Sequence, residues 1–141
     1  MPLISIRSLK KYFPIYKGFL SRSTNLVKAV DGISLDINKG ETLGLVGESG
    51  CGKTTVGRMS IALIEPTSGE VHFDGVDIFN LNAQKIKQLR PKMQIIFQDP
   101  YSSLNPRFSV EKIIGEAMMV HDLANRTSLR SKVAEIMQKV G

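Results

Sequence analysis

The chain has no tryptophan, one cysteine, two histidines and no long apolar run. With Cys51 alone there is neither an internal disulfide nor a cysteine metal cluster. No segment approaches the roughly 18–20 apolar residues that a membrane helix needs. The opening residues, Met1-Pro2-Leu3-Ile4-Ser5-Ile6, lack a basic stretch followed by a long apolar one. A signal peptide is therefore not expected, and a cytoplasmic location is. Aromatic residues make up only 6%, and the basic residues form no stripe with aromatics interleaved along it. The formal net charge of +6 comes from scattered lysines and arginines. It reads as a solvated surface and not as a nucleic-acid footprint.

What is present points to one ordinary domain. A length of 141 residues can bury a real core. An apolar fraction of 42% and a charged fraction of 23% are those of a soluble globular protein.

The sharpest motif is Gly47-Glu48-Ser49-Gly50-Cys51-Gly52-Lys53-Thr54, which fits the phosphate-binding pattern G-x-x-x-x-G-K-[ST]. Glu41-Thr42-Leu43-Gly44-Leu45-Val46 before it reads as a buried strand, and Thr55 to Ile64 after it reads as a helix. In that setting backbone N–H groups and the positive end of the helix converge on an anion. Lys53 is placed to reach β- and γ-phosphates, and the Thr54 hydroxyl to sit on Mg²⁺. Cys51 reads as a small residue at a variable loop position.

Along the chain, Leu3 to Leu9 partly alternates and reads as a strand, with Pro14 as a break. Ile15 to Asn25 looks like an exposed loop. Leu26 to Ile37 reads as a strand with a bulge or turn at Asp31-Gly32, closed by a turn at Asn38-Lys39-Gly40. Glu65 to Gly69 stops the phosphate-loop helix. Asp74-Gly75 between two short apolar runs is the strongest hairpin signal. Asn82 to Leu89 predicts a short helix ending before Pro91. Met93 to Phe97 predicts a buried strand, and Gln98 to Phe108 a loop. Helices are expected over Val110 to Val120 and Thr127 to Val140, the second with Leu129, Val133, Ile136 and Val140 on one face. There is no internal repeat.

The loop alone does not choose among phosphate-loop families. Its neighbours do. Val30 to Ile37 with Gly40 to Lys53, then Pro66-Thr67-Ser68-Gly69-Glu70-Val71 and Phe73-Asp74-Gly75, resemble the nucleotide-binding subunit of an ABC transporter. Ile95-Ile96-Phe97-Gln98-Asp99-Pro100-Tyr101-Ser102-Ser103-Leu104-Asn105-Pro106-Arg107 resembles the Q-loop of the dipeptide/oligopeptide importer branch, as does Lys11-Tyr12-Phe13-Pro14 near the start.

The resemblance implies an α/β fold. Residues 1–40 and 70–80 would form an antiparallel β subdomain, 41–69 and 91–98 a phosphate-loop core, and 99–141 the Q-loop and the start of a helical subdomain. It implies ATP and Mg²⁺ as cofactors and ATP hydrolysis as the activity. Phe13 matches the aromatic that stacks on adenine, with Tyr12 the alternative; residues 47–55, Thr55 included, match the phosphate loop. Gln98 matches the glutamine that touches Mg²⁺ and the attacking water. Implied partners are a second ATP-binding subunit, membrane-spanning permease subunits and, indirectly, a substrate-binding protein, at the cytoplasmic face of the membrane. Nucleic acid is not among them.

The family's Leu-Ser-Gly-Gly-Gln signature, its strand ending in Asp-Glu and its switch histidine have no match here. Asp99 falls in the Q-loop, Asp74 and Asp77 in a hairpin, and His72 and His121 away from the switch position. The expectation is therefore the N-terminal part of a longer subunit, inactive by itself in hydrolysis. Rival readings are a stand-alone nucleotide-binding or interaction module, an ABC ATPase of ribosomes or DNA repair, and a subunit importing nickel or another solute.

Overall fold

The computed structural model describes residues 1–16 and 24–141, in two compact units, Met1–Asn82 and Ala83–Gly141. The first unit carries a four-stranded antiparallel sheet. Its strands are β1 (Ile4–Tyr16), β2 (Thr24–Ile37), β3 (Ser68–Phe73) and β4 (Val76–Asp77), in the order β2-β1-β3-β4. Among the described residues, Ile6, Leu9, Val30, Val71 and Phe73 are its buried side chains. Helix α1 (Lys53–Ser60) buries Val56 and Met59, three residues apart and so on one face. Each such side chain contributes about 1.5–3 kcal/mol by leaving water.

Among the described residues, three bulges shape the sheet. On β1, Ser8 is an extra residue against both neighbours, because Ile6↔Leu35 is followed by Leu9↔Ile33 and Arg7↔Glu70 by Lys10↔Ser68. Ser8 has φ 46°, and its N–H donates to Ser34 Oγ at 2.8 Å. Gly69 faces this bulge at a distance only glycine allows: a Cβ there would lie 2.5 Å from the Ser8 carbonyl oxygen. The second bulge falls at Gly32, as the Asp31-Gly32 pair predicts. The third is Ala29, left unpaired between Lys11↔Val30 and Tyr12↔Lys28.

The Asp74-Gly75 hairpin forms as predicted, with φ 50° and 78° at the two turn residues. Asp77 then caps a 3₁₀ turn over Ile78–Asn80, accepting from the Phe79 N–H at 3.0 Å.

Several expectations need correction. Pro14 does not break β1, which continues to Tyr16. Pairing with β3 ends at Lys10, so Pro14 lies where one side of β1 is an open edge, and an edge tolerates a missing N–H. Ile15, Tyr16, Thr24 and Asn25 are strand residues and not loop; the rest of that predicted loop, 17–23, lies outside the described residues. Helix α1 ends at Ser60 and not at Ile64. There Ala62 takes φ 53°, Ala62 N–H donates to Met59 O at 3.0 Å and Leu63 N–H to Arg58 O at 2.9 Å. This is the paired-bond stop usually closed by glycine.

Residues 41–46 and 93–97 are not strands. A strand is defined by its ladder, and among the described residues neither segment is paired. Nor are they buried as predicted: Val46 is 98% and Ile96 90% exposed, although Met93 is buried.

In the second unit, α2 (Ala83–Leu89) stops before Pro91, and α3 (Val110–Val120) and α4 (Leu129–Val140) follow. Ser109 caps α3, its side chain accepting from Lys112 N–H at 3.3 Å. The α3–α4 pair approaches closely at Gly115, where a Cβ would meet Leu129 Cδ1 at 2.9 Å. On the expected apolar face of α4 Val133 is buried, while Ile136 and Val140 are exposed. Among the described residues no helix is long and apolar enough to cross a membrane.

Candidate functional site

The phosphate-loop motif folds as a loop running into α1. Glu48 O accepts from Cys51 N–H at 3.3 Å, closing a turn over residues 48–51. Gly52 is the N-cap of α1 at φ 99°, and Val56 N–H donates to its carbonyl at 3.0 Å. The Ala29 bulge explains why this position is glycine. Its carbonyl oxygen would lie 2.2 Å from a Cβ on residue 52.

Helix α1 begins without a side-chain cap and without an acidic residue in its first turn. α3, by contrast, has both Ser109 and Glu111. The first N–H groups of α1 therefore keep their capacity for an external acceptor. Lys53 leans back over the loop. Its Nζ donates to Gly47 O and Glu48 O, each at 2.7 Å, and lies 3.5 Å from Cys51 Sγ. A cation, an open helix N-terminus and exposed loop residues Gly47 to Cys51 suit an anion bearing several oxygens.

Thr54 and Thr55, in the first turn, line a hollow of about 140 Å³ with Ala29, Gly50, Gly52 and Lys53. Small-molecule sites usually measure about 300–1,000 Å³, so this hollow suits a phosphate group and not a whole nucleotide. Ala29 is the lining residue that the sequence pattern does not single out. Its place depends on a register shift, and no local signal marks one.

The two candidate aromatics differ in their surroundings. Tyr12 is engaged: its hydroxyl donates to Asp31 Oδ1, and Lys28 Nζ lies 5.4 Å from its ring centroid. Lys28 Nζ also pairs with Asp31 Oδ2 at 3.2 Å. The Tyr12 hydroxyl, then Lys28, hold the Asp31 carboxyl below the usual carboxylate range, and Asp31 in turn raises Tyr12. Phe13, opposite Val27, is 39% exposed, with Lys11 Nζ 5.2 Å from its centroid. One ring is thus tied at its polar end, and the other offers apolar surface.

Gln98 lies in the second unit and is exposed. Beside it, Asp99 Oδ1 accepts from Tyr101 N–H at 3.1 Å, a local turn that begins the 3₁₀ turn Tyr101–Ser103. His72 is a β3 residue, and His121 closes α3, its N–H donating to Ala117 O at 3.1 Å.

The sequence profile of the ABC transporter family matches residues 30–141. Among curated proteins, the chain is 47% identical over 140 residues to the oligopeptide transport ATP-binding protein AppF of Bacillus subtilis (strain 168), covering 99% of this chain and 43% of that protein. To the oligopeptide transport ATP-binding protein OppF of the same strain it is 48% identical over 141 residues, covering 99% and 44%. To the dipeptide transport ATP-binding protein DppF of Escherichia coli (strain K12) it is 42% identical over 140 residues, covering 99% and 42%. The chain thus spans about two fifths of the length of these relatives.

Among solved structures, the dimeric post-hydrolysis ATP-binding cassette MJ0796, bound to ADP and Pi, matches with a TM-score of 0.72 at 21% identity, over 96% of this chain and 56% of that one. The cbiO1 protein of Clostridium perfringens, part of the ABC transporter complex cbiONQ, matches with a TM-score of 0.66 at 26% identity, over 97% and 49%. The fold is that of an ABC ATPase cassette, present here in part.

Proposed function

The chain belongs to the ABC transporter family, and on that premise we propose that it binds ATP with Mg²⁺ as part of a subunit that powers import of di- or oligopeptides. The observation that carries this reading is the seat of Lys53. Its ammonium rests on two carbonyls of its own loop, over a helix start with neither cap nor acid. A polyphosphate would take over the ammonium and the α1 N–H groups together.

The remaining roles are those the family resemblance implies, and each suits the chemistry of its side chain. Gly47 to Thr55 wrap the phosphates. Thr54 would hold Mg²⁺ through its hydroxyl, and the Gln98 amide is the other candidate ligand; the ion would supply positive charge to a phosphoryl group in transfer. Phe13 gives the base an apolar face. Gln98, which both donates and accepts, can also orient water and relay the state of the site to a neighbouring subunit. Residues 41–69 carry the phosphate-binding loop and its helix, and 99–141 the Q-loop and helical part. Peptide import is favoured over other solutes because AppF, OppF and DppF carry oligopeptide or dipeptide transport in their names.

In the working complex a second ATP-binding subunit closes over the nucleotide, and permease subunits anchor the pair to the cytoplasmic face of the membrane. A substrate-binding protein delivers cargo. ATP drives closure because it binds the closed pair better than the open one.

The test is a titration of the chain and its Lys53→Ala variant with a fluorescent ATP analogue. Affinity should fall by about 2–5 kcal/mol if the charge pair is desolvated. Equal affinities would remove the phosphate-loop assignment. Uptake of a labelled peptide by cells whose only copy carries Lys53→Ala should fail; undiminished uptake would remove the transport reading.

A further inference from the structure

Phe13 sits just past the point where β1 loses its partner β3, since the last β1–β3 pair is Lys10↔Ser68. Beyond it β1 is laddered to β2 alone, with its other edge open. Here the segment before β3 holds on to it. Thr67 N–H donates to Lys10 O at 2.8 Å, and Tyr12 N–H donates to Thr67 Oγ1 at 2.9 Å. Lys11 completes the clasp: its Nζ donates to Glu65 O at 2.7 Å and stands 5.2 Å from the Phe13 ring centroid.

Glu65 follows the stop of α1, and α1 begins at Lys53 in the phosphate loop. The route from phosphate loop to aromatic ring is therefore one helix, one turn and one lysine. Lys11 and Phe13 are two residues apart on a strand and so share a face. The Glu65 carbonyl holds the Lys11 ammonium, and a held cation steadies the ring it faces.

We propose that Lys11 is a positioning residue for the base of the bound nucleotide. It fixes the Phe13 ring at a set distance from the phosphate loop, with one ring face against its ammonium and the other turned to the base. The inference rests on Phe13 being the base platform. A cation behind the ring also draws π density from the face offered to the base, so Lys11 tunes the stack as well as its place.

The experiment is calorimetric titration of the purified chain with ATP and, separately, with tripolyphosphate, which has no base. Lys11→Met keeps the apolar stem and removes the charge. It should weaken ATP about threefold, the size of an exposed cation–π contact. It should leave tripolyphosphate unchanged. Lys11→Arg should recover much of the loss, because a guanidinium can donate to Glu65 O and face the ring. In a Phe13→Ala background Lys11→Met should have no further effect.

An equal loss for ATP and tripolyphosphate would overturn the proposal, since Lys11 would then act on the phosphates or on the fold. Tighter ATP binding by Lys11→Met would overturn it too, because the ammonium would be covering the face the base needs. If Phe13→Ala leaves ATP binding intact, the base-platform reading itself fails. If Phe13→Ala weakens ATP and Lys11→Met does not, only the role of Lys11 is lost.

Discussion

The backbone carbonyl of Ala29 occupies the space that a side chain on Gly52 would need, 2.2 Å from the ideal Cβ position. The two residues join the sheet to the start of α1. The contact exists because Ala29 is bulged out of the β1–β2 ladder.

Gly52→Ala should therefore be costly twice over. The new methyl meets backbone, which cannot swing aside, and φ 99° is strained for any side chain. A loss of more than about 2 kcal/mol is expected. Gly40→Ala is the control, since Gly40 has φ 78° but open space around it. Urea unfolding of both variants checks the comparison, and equal losses would show that conformation alone, and not the Ala29 contact, sets the cost.

Phe13→Ala should reduce nucleotide affinity by about 1–3 kcal/mol, for ATP and GTP alike, because stacking reads no base edge. Tyr12→Ala should cost less affinity, since the Tyr12 hydroxyl and ring are engaged by Asp31 and Lys28. Fluorescence titration with both nucleotides decides between them. A larger effect at Tyr12 would move the platform by one residue.

Stability should fall in acid through Asp31 and Asp36. The Tyr12 hydroxyl, then Lys28, lower Asp31, and Arg7, paired at 2.7 Å, lowers Asp36. A depressed folded pKa means the unfolded chain takes up protons first. The contribution is complete above the usual carboxylate range and is lost as pH falls through the lower folded values. Tyr12 and Lys28, both raised by Asp31, behave oppositely: their share is complete below their usual values and is lost as pH rises through the folded ones. Denaturation midpoints across pH should show a shallower acid limb in Asp31→Asn than in the parent. Superimposable limbs would mean that these exposed pairs do not couple to folding.

Ala62→Gly should stabilise the chain by about 0.5–1 kcal/mol. Ala62 closes α1 at φ 53°, where alanine carries a Cβ penalty that glycine escapes. Gains of this kind appear as a raised urea midpoint with an unchanged slope. A lowered midpoint would mean that the Ala62 methyl makes a contact worth more than the relief.

What the sequence makes legible here is local chemistry. The phosphate loop, the Asp74-Gly75 turn, the Gly32 bulge, the α2 stop before Pro91 and the bounds of α3 each follow from a few adjacent residues. What it hides is anything settled by a distant neighbour. Leu43 to Val46 and Ile95 to Phe97 have the composition of buried strands, but pairing is a property of two segments, and neither has a partner among the described residues. Pro14 reads as a break only if its strand is flanked on both sides. The Ala29 bulge, which shapes the hollow beside the phosphate loop, arises from register with Lys11 and Tyr12 and has no signature of its own.

Lys53 is already occupied. Two carbonyls at 2.7 Å hold its ammonium, so an incoming oxygen competes with the loop for two of its three donors. A single phosphate group would meet an ammonium with two of its three N–H donors already engaged by carbonyls, and would gain only the remaining one without disturbing the loop. A triphosphate engages the α1 N-terminus with one group and can draw the ammonium over with the next, so the exchange becomes intramolecular once the first contact is made. On the proposed reading the lysine would act as a latch, one that a polyphosphate lifts more readily than free phosphate does.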